Sequence, residues 1–197
     1  MNKRYLVPLA LLVLASLSLA ACGGGGSSAE DEITETIEKA ATTSDPANCT
    51  ELETLSFVEQ NSQQKGQAAL KACKEEAEAG EEQAEGVKVS NVSVNGEKAT
   101  ADVLFEGGSL GQQALKLALV EEEGTWKLDQ IEGFAEFNAR ALGEAFEKSF
   151  EEEPGELNKE QASCIAEGIA KVSQSEAEAM FFEGDSEKLL ELAKGCA

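Results

Sequence analysis

Between residues 87 and 131 the apolar residues recur at every second position, whereas on both sides they recur every third or fourth. Nothing else in the chain limits the fold as strongly. A period of two belongs to a strand with one buried face, and a period near 3.6 belongs to a helix. Val87 to Val94, Lys98 to Phe105, Gln112 to Glu122 and Thr125 to Ile131 read as four strands. Ala99, Ala101, Val103 and Phe105 share one face of the second. Leu115, Leu117 and Leu119 share one face of the third, and Trp126 and Leu128 one face of the fourth. Asn95-Gly96 is a strong hairpin signal, and Gly107-Gly108 and Glu123-Gly124 mark the other two turns. Such short links make consecutive strands neighbours, which predicts an antiparallel meander. Val87 and Val89 are out of phase with Val92 and Val94, so the first strand should carry a bulge near Ser90-Asn91.

Helices flank this sheet. Glu30 to Ala41 places Ile33 and Ile37 on one face and stops at Ser44-Asp45-Pro46. Cys49 to Leu55 reads as a short helical or irregular piece, and Gln67 to Gly80 as a helix with Ala69, Leu70 and Cys73 inward. After Gly133, the spacing of Phe134, Phe137, Ala141 or Leu142, Ala145, Phe146 and Phe150 predicts one helix ended by Pro154-Gly155. Asn158 with Gln161 resembles a capping box before Ala162, Ile165, Ile169 and Val172. Ser175 with Glu178 predicts the start of a short helix through Met180, closed by Gly184. Ser186 opens the last helix, which carries Leu189, Leu190 and Leu192. The fold class that follows is α+β: N-terminal helices packed on a curved four-stranded antiparallel meander, then a small all-α C-terminal region.

Residues 1–21 carry a different signal. Lys3 and Arg4 precede an apolar run from Leu6 to Ala20, and the stretch ends Leu19-Ala20-Ala21-Cys22. The run falls short of the about 20 apolar residues that a membrane span requires and fits the core of a secretory signal. Leu-Ala-Ala-Cys resembles a lipobox, which implies cleavage before Cys22 and a diacylglyceryl group on its sulfur. One acyl chain holds a protein only marginally to a bilayer and two hold it lastingly. The sequence therefore predicts a lipid anchor at Cys22 and an address on the extracytoplasmic face of the cell membrane. Residues 22–29, rich in Gly and Ser, read as a flexible tether.

Charge and missing residue types exclude several functions. Losing Lys3 and Arg4 from 16 basic residues leaves 14 against 38 acidic ones, a net charge of −24. Such a surface repels phosphate backbones, so no nucleic-acid partner is expected. The chain has no histidine, and its one tyrosine, Tyr5, leaves with the signal. Catalysis by a Ser-His-Asp or Cys-His pair, a histidine metal ligand and a tyrosine acid are all removed. Asp102 and Asp129 lie in mid-strand on the face opposite the apolar residues, which favours solvent over catalysis. Gly107 to Gly111 is followed by a strand, so it lacks the context of a phosphate loop.

With Cys22 assigned to lipid, Cys49, Cys73, Cys164 and Cys196 form an even set in an oxidising compartment. Four cysteines allow three connectivities. Sequence position favours Cys49–Cys73 and Cys164–Cys196, one local link in each half. A zinc site of four cysteines usually brings CxxC pairs, and none is present, so no metal or cofactor is expected.

The run Val-Ser-Val-Asn-Gly-Glu-Lys-Ala-Thr-Ala at 92–101, Leu-Val-Glu-Glu-Glu-Gly-Thr-Trp-Lys-Leu at 119–128, and two cysteine-bearing segments after a first helix carry a resemblance. Residues 30–133 resemble the nuclear transport factor 2-like lipoproteins of actinobacteria, a group mostly without assigned function. The resemblance implies a curved sheet packed on helices as a cone, with Trp126 in the core. Residues 134–197 read as a small helical addition clipped by a disulfide, outside that resemblance. Some cone-shaped relatives are enzymes, but they use a tyrosine or histidine that this chain lacks, so no enzyme is expected. Two roles remain. One is a binding module for an unknown envelope protein. The other is a carrier of a small apolar or lipid-like ligand, with Phe105, Leu115, Leu117 and Trp126 as pocket walls. Met180-Phe181-Phe182 is a candidate partner patch, although aromatics at helical spacing more often belong to a core.

Overall fold

The computed structural model describes residues 28–80, 83–107, 112–152, 158–185 and 187–196. The signal segment, Cys22, most of the tether, residues 108–111, Pro154-Gly155 and Ser186, the expected start of the last helix, lie outside the described residues. No helix among the described residues is long and apolar enough to cross a membrane.

Ser28 caps helix α1 (Ala29–Thr42) through a box with Asp31. Glu30, Asp31 and Glu32 in the first turn and Lys39 in the last complement the helix dipole. Ile33, Thr36 and Ile37 form its buried face. Helix α2 (Asn48–Glu51) follows, then α3 (Leu55–Ser62), capped by the Thr54 hydroxyl, and α4 (Gln67–Ala79), closed by Gly80 in the left-handed region. The polar stretch after Val58 is thus a helix whose burial is confined to Phe57 and Val58.

Strands β1 (Gly86–Asn95), β2 (Lys98–Glu106), β3 (Ala114–Glu122) and β4 (Thr125–Glu136) pair in the order β1-β2-β3-β4, all antiparallel, in a curved, open sheet. The β1–β2 register slips between Ser90 and Ser93, where Asn91 takes a φ of 51° and donates to Asp102 Oδ2 at 2.8 Å. Asn95 pairs with Lys98, so the hairpin loop is Gly96-Glu97, with Gly96 at φ 64° in the first loop position. That site favours glycine because a Cβ is strained there.

One face of the sheet is the core. Ala99, Ala101, Val103, Leu115, Leu117, Leu119, Trp126 and Leu128 pack with Ile33, Ile37 and Phe57. The same buried cluster includes Leu142, Ile165, Ile169, Val172, Ala177 and Met180 from the C-terminal helices. Those helices are α5 (Ala139–Glu152), α6 (Lys159–Ile169), α7 (Gln174–Phe182) and α8 (Glu187–Gly195). Helices α5 and α6 approach closely at Gly143, where a Cβ would lie 2.5 Å from the Ala166 carbonyl oxygen.

Two sequence expectations change here. Phe134 does not begin a helix. β4 runs on to Glu136, across the expected boundary at 133/134, and Phe134 is buried in that strand. The short helix starts earlier than Ser175: its capping box is Ser173 with Glu176, and Glu178 is drawn away to accept from the Phe134 N–H at 3.1 Å.

The outer edge of β4 is covered along its length. Thr36 Oγ1 donates to the Trp126 carbonyl at 3.4 Å. Leu128 donates to Leu52 O and accepts from Thr54 N, both at 2.8 Å. The Gln60 amide meets both the N–H and the C=O of Ile131, at 2.8 and 3.0 Å. Gln174 Nε2 donates to the Phe134 carbonyl at 3.1 Å. Three helices and one short bridge therefore engage the Trp126 carbonyl and both main-chain groups of Leu128, Ile131 and Phe134, which an edge strand would leave open.

Candidate functional site

The four expected pocket walls belong to the core or pack against it. Leu115, Leu117 and Trp126 are buried in the core cluster, and Phe105 packs against it half-buried. Met180 is likewise buried, and Phe182 sets its ring 5.0 Å from that of Phe134. Asp102 and Asp129 are half-buried and serve the frame: Asp102 accepts from Asn91, and Asp129 Oδ1 accepts from the Thr54 hydroxyl at 2.9 Å.

A cleft of about 480 Å³ opens where α3, β4 and the end of α7 meet. Gln60, Gln63, Gln130 and Phe182 line it, with Glu59 and Lys65 also in its wall. Glu59 and Lys65 are paired at 2.9 Å, and Glu59 also accepts from the Gly66 N–H at 2.8 Å. The Gly66 bond first, and Lys65 second, hold the Glu59 carboxyl below the usual carboxylate range. Gln63 ends α3 in the left-handed region at φ 52°. Ser56 and Glu183 complete its side-chain lining, so the cleft offers amides, a hydroxyl, carboxylates, one ion pair and one aromatic ring. None of the four expected wall residues lines it.

A second cluster joins three segments. Cys49 of α2 is disulfide-bonded to Cys73 of α4, with Cα atoms 6.1 Å apart. Cys164 of α6 is bonded to Cys196, just after α8, with Cα atoms 5.8 Å apart. Beside the first bridge, Glu53 Oε2 lies 3.6 Å from Cys73 Sγ. A disulfide sulfur carries no proton, so a hydrogen bond there has the protonated carboxyl as donor. Burial first, and the Glu76 charge second, push the Glu53 carboxyl from its ordinary 4.5 up to about 7. Nothing in the sequence marked Glu53 except its four-residue spacing from Cys49.

This shift predicts a pH effect on the oxidised protein. The folded state holds the Glu53 proton more tightly than the unfolded chain, so the group stabilises the fold fully below pH 4.5. That contribution is lost as the pH rises through 7. Glu53→Gln keeps the shape without the charge. Its urea midpoint is expected to fall less than that of the parent between those two pH values. Parallel pH profiles for the two proteins would contradict the assignment.

Comparison with protein-family models, with characterised proteins and with solved structures gives no match for this chain.

Proposed function

We propose that this protein is a lipoprotein held by lipid on Cys22 at the outer face of a cell membrane, and that its folded part is a non-enzymatic binding module of the envelope. The observation that carries the binding reading is the filled inner face of the sheet. Leu115, Leu117 and Leu119 are each no more than 2% exposed, and Trp126 is 3% exposed. A carrier needs those side chains to enclose a ligand, and here they enclose one another. The surface that remains is strongly acidic, with a polar cleft beside α3 and α7. Its complement is a basic or amide-rich segment of another envelope protein. The order of two cysteine-bearing helical segments followed by a meander supports kinship with the nuclear transport factor 2-like lipoproteins.

Two measurements test the proposal. Cys22→Ala is expected to move the protein from the membrane fraction to the soluble fraction or to block its maturation. Unchanged membrane retention and maturation would overturn the anchor. Native mass spectrometry of the protein from its own host is expected to show no small molecule at one per chain. Finding one in most copies would favour the carrier, with Phe105, Leu115, Leu117 and Trp126 parting to admit it.

A further inference from the structure

We propose that the Cys49–Cys73 bridge masks a metal site: on reduction, the two thiolates and the Glu53 carboxylate bind one thiophilic divalent cation of the zinc type.

The three donor atoms already converge. Cys49 Sγ, Cys73 Sγ and a Glu53 oxygen all lie within 4.8 Å of one another. Zinc holds sulfur at about 2.3 Å and carboxylate oxygen at about 2.0 Å in a tetrahedron. Those lengths put a sulfur and an oxygen about 3.5 Å apart across one edge. The Cys73 Sγ to Glu53 Oε2 distance is 3.6 Å. Only the two sulfurs must separate, and Cα atoms 6.1 Å apart leave room for side-chain rotation to do so.

The carboxylate is held in place by the backbone. Glu53 sits between Leu52 and Thr54, whose main-chain groups both bond Leu128 at 2.8 Å. A ligand fixed in this way loses little freedom on binding. Among the described residues no cationic side chain pairs with Glu53, and Glu76 adds a second negative charge nearby. A half-buried carboxylate in such a field attracts a cation. The same field opposes an approaching thiolate, which is why a metal site suits the cluster better than disulfide exchange. Cys73 and Glu53 are partly exposed while Cys49 is buried, so the cation has access from the Cys73 side. The fourth position falls to water, as in open zinc sites.

The chemistry balances with a dithiol as reductant. The dithiol gives two electrons and two protons to the Cys49–Cys73 bond and becomes a cyclic disulfide, leaving two cysteine thiols. Metal binding then releases both thiol protons to water, together with the Glu53 proton where it is still bound. The absence of CxxC spacing does not bear on this site, because its two cysteines come from different helices, 24 positions apart.

The test uses the full chain with Cys22→Ser, so that the four disulfide cysteines are its only thiols once it is reduced. Zn²⁺ affinity is read by competition with a chromophoric chelator, and circular dichroism follows the fold. The oxidised protein is expected to leave the chelator loaded, and the dithiol-reduced protein to take one zinc per chain. Glu53→Gln should weaken that affinity by roughly 100-fold, the upper end of what loss even of an outer-shell partner brings. Cys73→Ser should abolish it. A folded, reduced protein that takes no zinc would overturn the proposal. So would equal affinity in the parent, Glu53→Gln and Cys73→Ser, which would place the metal on Cys164 and Cys196. If reduction unfolds the metal-free protein, added Zn²⁺ should restore the native spectrum of the parent and not of Glu53→Gln. Failure to restore it would count equally against the site.

Discussion

Leu115→Ala should lower the unfolding free energy by about 4 kcal/mol, in the upper half of the range for buried leucines. Leu115 is 1% exposed on β3, which has a paired strand on each side. Its neighbours are held by two ladders and by α1 and α3, so they have little room to collapse into the space left behind. Leu190→Ala is the matched control: Leu190 is 53% exposed on α8, and its loss should cost no more than about 0.5 kcal/mol. Urea unfolding of both variants decides the matter. Equal midpoints would mean that the inner face of the sheet is not close-packed, and that would revive the carrier reading.

Replacing Cys164 and Cys196 together by serine should remove about 3.5 kcal/mol, the loop-closure term for cysteines separated by 32 positions. The effect should be local before it is global. Helix α8 has no fully buried residue, and it meets the body through half-buried Leu189, Leu192 and Ala193. Leu192 lies over Gly168 of α6, where a Cβ would come within 2.6 Å of it. Without the covalent link, the packing of Leu189, Leu192 and Ala193 and the 3.1 Å ion pair of Lys188 with Glu176 must hold the helix. Amide exchange is expected to speed up in α8 first, with α6 and the sheet still protected. Uniform loss of protection across the chain would show instead that α8 folds with the core as one unit.

The meander was legible because its signals are local. Alternation, a glycine at each hairpin and the phase slip at Ser90 to Val92 each need only a few neighbouring residues. The end of β4 was misread for a physical reason. Register shifts in the β3–β4 ladder break the period of two, so the apolar residues fall at Ile131, Phe134 and Phe137, three apart. A strand with such shifts imitates a helix in sequence. The Ser173 box was missed because Ser175 offers the same S-x-x-E spacing, and only the pull of Phe134 on Glu178 separates the two. Glu53 was invisible for a different reason. Its burial comes from α4, about 20 residues away, and from β4, about 75 residues away, and no local pattern encodes contacts at that range. The local cysteine pairs needed only proximity along the chain.

The cover along the outer edge of β4 governs how this chain fails. If α7 lifts away, the N–H and C=O of Phe134 lose their partners while Leu128 and Ile131 keep theirs. The bared segment runs through apolar residues into Ala135 and Glu136 and is ready to template a strand from another molecule. Association through β4 should therefore begin at this end of the strand and not at its middle. The heavy negative charge of the chain, which has no obvious use inside a single folded copy, acts against that event by keeping such opened copies apart.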